Sequence, residues 1–381
     1  MQHIYLDYNA TTPIAPSVVD AMTPFLTDHF GNPSSSHALG RAAAEAIEDA
    51  RAQVAGLLGC SHDEVVFTSG GTESNNIAIK GAMFRGVVGS GHLIISAIEH
   101  PAVVEPAKFL ERIGFDLTVV PCDSNGVVQP ETVAAAIRPD TRLVSIMHAN
   151  NEIGTVQPIA QIAAICHKNG ILVHTDASQA VGKIPTYVDH MDVDMLTIAG
   201  HKLYAPKGIG ALFVRDGLDL EPAMHGAGHE NGMRPGTENT AFIVGLGRAC
   251  LYAGKAIDES PKKMSELRDR LLNNLQMMIG RALKVNGGQV ERLPNTLSVV
   301  FPDVVAAEML QRIEHLCAST GSACHSGSTE SVTLSAMGAS AKEIAGTMRL
   351  SVGWTTSQDE IDQASQQLVE AWEVLSQARS V

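Results

Sequence analysis

The stretch TIAGHKLYAPKGIGALFV, residues 197–214, puts a lysine where an apolar run stops. Met195 to Ile198 reads as a buried strand, and Gly200-His201-Lys202 follows at once. A lysine there either turns out to water at a bend or is desolvated. A desolvated lysine loses its proton readily and attacks a carbonyl to form an imine. Two further stretches bear on that choice. FTSGGTESNN runs from an apolar strand through Ser69-Gly70-Gly71-Thr72 into a helical pattern. Exposed N–H groups and a positive dipole end suit a phosphate there, although Gly-Gly-Thr is also an ordinary helix start. In HTDASQA, Asp176 ends another apolar run and Gln179 follows three residues on. Ligands of parallel α/β sheets bind beyond that edge, and a carboxylate there needs a cation to stay charged. The alternative is that Asp176 caps the segment that follows. A phosphate cradle, a carboxylate and a lysine at strand ends form the set that pyridoxal 5′-phosphate requires. On that reading Lys202 is the imine lysine, Asp176 keeps the pyridinium nitrogen protonated, and His201 reaches the phosphate.

The elements that must position these residues alternate. Short apolar strands are expected at 64–69, 92–96, 142–149, 171–176 and 195–200, with a further strand in DLTVVP. Between them lie amphipathic segments at 73–85, 101–114 and 158–170, the last two running from proline to glycine as helices often do. Such alternation predicts a mostly parallel sheet covered on both faces. After about residue 250 the pattern changes to a long charged helix (ESPKKMSELRDRLLNNLQMMIGRA), the strands NTLSVVF and TMRLSVG, and a closing amphipathic helix. The chain therefore reads as two units, residues 15–255 and residues 1–14 with 256–381. The N-terminal IYLDYNA falls outside the alternating block.

Composition narrows the partners. A formal charge of −14 argues against nucleic acid or an anionic membrane as the main partner. There is no run of 18 apolar residues and no basic-then-apolar leader, so neither a membrane-spanning helix nor a secretory signal is expected, and the cytoplasm is the expected location. The six cysteines are scattered and read as reduced thiols, and no metal site is expected, since Cys324-His325 lacks a second ligand pair. Cys324 itself lies in STGSACHSGSTES, small and polar on both sides, which predicts an accessible loop and a nucleophilic rather than structural thiol. Arg349 lies in an apolar strand and needs an anion; a substrate carboxylate is favoured over an internal salt bridge. His100 and Asn151 each have a plainer role available, as a helix cap and a turn former.

The segments YLDYNATTP, FGNPSSSH, TSGGTESNN, EHPAV, MHANNEIGTVQPI, HTDASQAVGK, GHKLYAPKGIGAL, RPGTEN and GSACHSG resemble the cysteine desulfurases. That family belongs to the class V aminotransferase superfamily of pyridoxal-phosphate fold-type I. The resemblance implies a large domain with a mostly parallel seven-stranded sheet and a smaller α/β domain carrying the cysteine loop. It implies that Gly71, Thr72, His201 and Thr237 hold the cofactor phosphate, Thr237 reaching in from the other subunit of a homodimer. His100 would stack on the ring, Asp176 pair with its nitrogen and Gln179 bond its hydroxyl. Asn9, Asn151 and Arg349 would hold the substrate, L-cysteine, and Cys324 would take its sulfur as a persulfide, leaving L-alanine. The sulfur would pass to an acceptor protein: an iron–sulfur scaffold, a tRNA-thiolation protein or DNA-sulfur-modification machinery. Two positions depart from the pattern. Many relatives have a hydroxyl residue where this chain has Ala199, so one phosphate bond, worth roughly 1 kcal/mol, is missing or supplied elsewhere. Desulfurases often have Thr or Ser after the cysteine, whereas ACHS together with RPGTENT also resembles selenocysteine lyases. A selenocysteine lyase is thus the alternative activity, with an aminotransferase and a non-catalytic sulfur-delivery scaffold as more distant ones.

Overall fold

The computed structural model describes residues 3–86, 89–321 and 331–378. β1 (Ile4–Tyr5) stands apart from the alternating block. β2 (Val65–Thr68), β3 (His92–Ser96), β4 (Asp116–Val120), β5 (Thr141–Ser145), β6 (Leu172–Asp176), β7 (Met195–Ala199) and β8 (Gly210–Val214) form one sheet in the order β2-β8-β7-β6-β5-β3-β4. Pairing is parallel from β4 through β7, and β8 runs antiparallel to both neighbours. Every other strand therefore ends at the same edge, and β8 starts there. Side chains alternate between two apolar layers: Val65 and Phe67 join one core, Val66 the other. Helices Ala38–Leu58 and Thr240–Ala256 cover the first face, and Gly71–Phe84 and Pro101–Arg112 the second. The result is three layers.

β9 (Lys284–Val285), β10 (Thr296–Val300), β12 (Ser319–Thr320) and β13 (Thr347–Ser351) form a four-stranded antiparallel sheet ordered β12-β13-β10-β9. β11 (Leu316–Cys317) pairs in parallel with β1. Helices Ser260–Ile279 and Gln358–Ala378 pack on this sheet, and Ile4 and Leu6 from the chain start share its core.

Boundaries follow local chemistry. Helix Pro101–Arg112 starts where His100 Nδ1 accepts from Ala102 N at 3.1 Å. The strand expected to reach residue 149 ends at Ser145, but sheet-like bonds continue: Ile146 N donates to His174 O at 3.1 Å and His148 N to Asp176 O at 2.9 Å. That continuation brings His148 beside Asp176.

Candidate active site

A cavity of about 360 Å³ opens at the shared strand edge and is walled on its far side by Arg349 of β13. A roomier groove of about 440 Å³ beside Leu57, Ile184 and Leu251 is mainly apolar and gathers no comparable set of reactive groups. Chemistry rather than size singles out the first.

The turn after β2 builds one end. Gly70 has φ 144° and ψ 179°, a conformation that side chains rarely adopt, and it swings the chain into helix Gly71–Phe84. A Cβ on Gly71 would lie 3.1 Å from Ser178 Oγ and 3.3 Å from Ala199 Cβ, so only glycine leaves this helix mouth open without displacing a neighbour. Thr72 and His201 line the same end. His201 Nδ1 is 3.2 Å from Thr11 Oγ1. Burial, reinforced by Lys202 and other cations, pushes the imidazole down to about 4, so it is neutral at pH 7.

Asp176 ends β6 and is 7% exposed. Its carboxylate accepts from Asn75 Nδ2 at 2.7 Å and from Ser178 N at 2.9 Å. Among the described residues no Lys, Arg or His lies within ion-pair distance of it. It does cap the turn that follows, and it also faces the cavity; the two sequence readings hold together. Lys202 ends the one-turn helix Gly200–Lys202 after β7, and its Nζ donates to the carbonyls of Asn9 at 2.5 Å and Ala10 at 2.8 Å. The chain then returns through β8, so the lysine loop is pinned at both ends.

Gln179 Nε2 donates to Asn9 O at 3.0 Å, and its Oε1 faces Lys183 Nζ at 3.5 Å. A carbonyl on one side and an ammonium on the other fix the amide orientation. Lys183 is buried and also donates to Gln179 O at 2.9 Å; burial and the neighbouring Lys202 pull it down to about 7. Glu99, next to His100, bridges strand ends by accepting from Ser96 Oγ at 2.5 Å and Met147 N at 2.9 Å. Burial, with Asp176 nearby, raises it to about 8.

At the opposite end Arg349, 6% exposed, donates to Asn151 O at 3.0 Å, Ser319 Oγ at 2.9 Å and Asp7 Oδ1 at 2.7 Å. The internal salt bridge that the sequence made the less favoured partner is present, to Asp7, and it leaves the expected substrate role untested. The guanidinium Nε is buried without a hydrogen-bond partner among the described residues. Asn9 is held from three sides, its side chain meeting Thr296 Oγ1 at 2.8 Å and Asn295 Nδ2 at 2.9 Å and its backbone N–H meeting Ser351 Oγ at 2.9 Å.

Ten expected residues thus line one cavity: Asn9, Gly71, Thr72, His100, Asn151, Asp176, Gln179, His201, Lys202 and Arg349. Thr237 does not; it is exposed on the segment before helix Thr240–Ala256. Cys324 lies outside the described residues. Sequence reasoning missed Asn75, Ser178, Lys183, Glu99, Asp7 and Ser319. Asn75 was findable, being one helical turn from Gly71 on the same face.

A family model described as aminotransferase class-V matches residues 4–364. A cysteine desulfurase, IscS, of Dictyoglomus turgidum (strain DSM 6724 / Z-1310) is 44% identical over 364 residues, 95% of this chain and 92% of that protein. The cysteine desulfurase IscS of Methanosarcina thermophila is 44% identical over 362 residues, 94% of this chain and 89% of that one. Among solved structures, a NifS-like protein superposes with a TM-score of 0.90 at 36% identity, covering 98% of this chain and 100% of its own. A structure described as SspA in complex with cysteine gives a TM-score of 0.83 at 40% identity, covering 92% and 98%.

Proposed function

Because the chain belongs to the class-V aminotransferase family and, within it, to the cysteine desulfurases, we propose that its cavity binds pyridoxal phosphate and L-cysteine and moves the substrate sulfur to Cys324. The observation that carries this reading is Asp176, a buried carboxylate with no cationic partner among the described residues, in one cavity with Lys202. A protonated pyridine nitrogen is the cation such a carboxylate lacks. The open helix mouth at Gly71 suits the phosphate and the donor amide of Gln179 suits the ring hydroxyl. When bound, the cofactor supplies an electron sink for the substrate's Cα carbanion.

The chain's own residues do the rest. Lys202 would hold the cofactor, and its Nζ would move the substrate's Cα proton. His100 would pack on the ring. Arg349 and Asn151 orient the substrate carboxylate, with Asn9 fixing both the Lys202 and the Asn151 sides. The Cys324 thiolate attacks the substrate sulfur; an S–S bond forms and the substrate C–S bond breaks. L-Cysteine and the thiol become L-alanine and the persulfide, with all atoms accounted for. The persulfide then serves an acceptor protein, an iron–sulfur scaffold or thiolation partner, in the cytoplasm. The working unit is a homodimer: Thr237, exposed on one chain, is available to the other chain's phosphate site. Residues 15–255 form the cofactor domain, and residues 1–14 with 256–381 the smaller one.

The test is alanine released from L-cysteine by wild type and Cys324→Ser. The variant should keep cofactor and substrate binding and lose turnover by several orders of magnitude. Unchanged turnover would overturn the persulfide route, and wild-type turnover of L-selenocysteine with none of L-cysteine would shift the reading to a selenocysteine lyase. Sedimentation should give one species near twice the 40.3 kDa chain mass; an active monomer would overturn the shared site.

A further inference from the structure

Ser178 stands two residues beyond Asp176 and lines the cavity together with Gly71, Thr72, Ala199 and His201. Its backbone N–H donates to Asp176 Oδ1 at 2.9 Å, which fixes where the residue sits. Its hydroxyl fronts the first residue of helix Gly71–Phe84: a Cβ on Gly71 would meet Ser178 Oγ at 3.1 Å and Ala199 Cβ at 3.3 Å. Two methyls, Ala199 Cβ and Thr197 Cγ2 at 3.7 Å, and one hydroxyl therefore face the helix mouth. Nearby hydroxyls are used within the protein, Thr68 Oγ1 with Ser74 Oγ at 2.8 Å and Thr197 Oγ1 with His174 Nε2 at 3.1 Å. Ser178 Oγ makes no hydrogen bond to a described residue.

Resting on the reading that this cavity holds pyridoxal phosphate, we propose that Ser178 donates its hydroxyl to the cofactor phosphate and replaces the bond that Ala199 cannot make. A short polar side chain beside an open helix N-terminus, with no acceptor of its own, has its donor available to an anion. His201 is neutral and Ala199 is apolar, so the hydroxyls among the described residues lining this end are those of Thr72 and Ser178. Ser178 also links two recognition points through three residues of chain. Asp176 serves the ring nitrogen, Ser178 the phosphate, and the bond between Ser178 N and Asp176 Oδ1 sets the distance between them.

The experiment measures equilibrium affinity of cofactor-free protein for pyridoxal phosphate and, separately, for pyridoxal, which lacks the phosphate. Ser178→Ala should bind pyridoxal phosphate about tenfold more weakly, the size of one hydrogen bond to a charged group. Its affinity for pyridoxal should equal that of wild type, which also shows that the variant is folded. Ser178→Thr should bind like wild type. The cycle with Ala199→Ser sharpens the assignment: that change should restore most of the lost affinity in the Ser178→Ala background and alter wild type less than about threefold, because the two hydroxyls would serve the same anion. Full affinity of Ser178→Ala for pyridoxal phosphate would overturn the proposal. So would an equal loss for both compounds, which would mean that the serine acts only by shaping Asp176. Wild-type protein that binds neither compound would instead overturn the cofactor reading, and this assignment with it.

Discussion

The two ends of the cavity differ in kind. At the β2 edge the described lining is a helix N-terminus, a neutral His201, Thr72 and the Ser178 hydroxyl. At the β13 edge there is a whole guanidinium in mid-strand. A helix terminus carries about half a charge and binds by shape through several N–H groups. Such an end suits an anion that stays through many turnovers. Arg349 carries a full charge but shares it with Asp7, so an arriving carboxylate joins an existing pair instead of meeting a bare cation. That arrangement suits an anion that must leave.

Lys202 stands between the two ends, and replacing it should have the largest effect. Lys202→Ala should lower alanine formation at least about 10³-fold, since it removes both the covalent tether and the proton carrier. Borohydride should no longer fix the cofactor to the chain. Persistence of a reducible lysine adduct would move the tether elsewhere and dissolve the comparison.

Arg349→Lys separates the ends. The lysine keeps a charge for Asp7 but loses the planar fork. A fall of about 10²-fold in kcat/KM is expected, mostly through KM, with cofactor affinity unchanged. Loss of cofactor affinity would mean that the two ends are not independent.

Glu99→Gln tests the wall between them. The folded carboxyl titrates at about 8 against an ordinary glutamate value of 4.5, so between those values the unfolded chain has lost the proton that the folded chain keeps. Stability from this group is therefore full below 4.5 and declines as pH rises toward 8. Glutamine mimics the protonated acid and does not titrate. In urea unfolding of the cofactor-free protein, the advantage of Glu99→Gln over wild type should grow by about 2 kcal/mol between roughly pH 6.5 and pH 8. Comparing variant with wild type cancels Lys183, whose lowered value acts in the opposite sense above pH 7. A pH-independent difference would show that Glu99 is ionised in the fold.

Much of this was legible in the sequence, because buried parallel strands leave apolar runs and their ends leave Gly, Asp and Lys. The alternating block and the long C-terminal helices were readable in that way. β8 was not singled out: GALFV follows the lysine loop so closely that it reads as part of it, and its antiparallel direction depends on pairing rather than on composition. The partner of Arg349 was also hidden, since Asp7 lies 342 residues away in sequence. Ser178 was passed over because its meaning depends on Gly71 and Ala199, which only the fold brings to it. Cys324 is the reverse case, marked by its small polar surroundings alone.

Asn9 carries a consequence for how the protein is made. Its carbonyl receives both Lys202 and Gln179, and its own amide and side chain are held by Ser351, Thr296 and Asn295. The segment that finishes the cavity is thus made well before the strand that fastens it, 342 residues further on. At roughly 5–20 residues per second the gap is on the order of tens of seconds. During that interval Ile4 and Leu6, both buried in the finished fold, lack their native partners in the C-terminal core. Completion of the Lys202 surroundings therefore waits until Ser351 has been made.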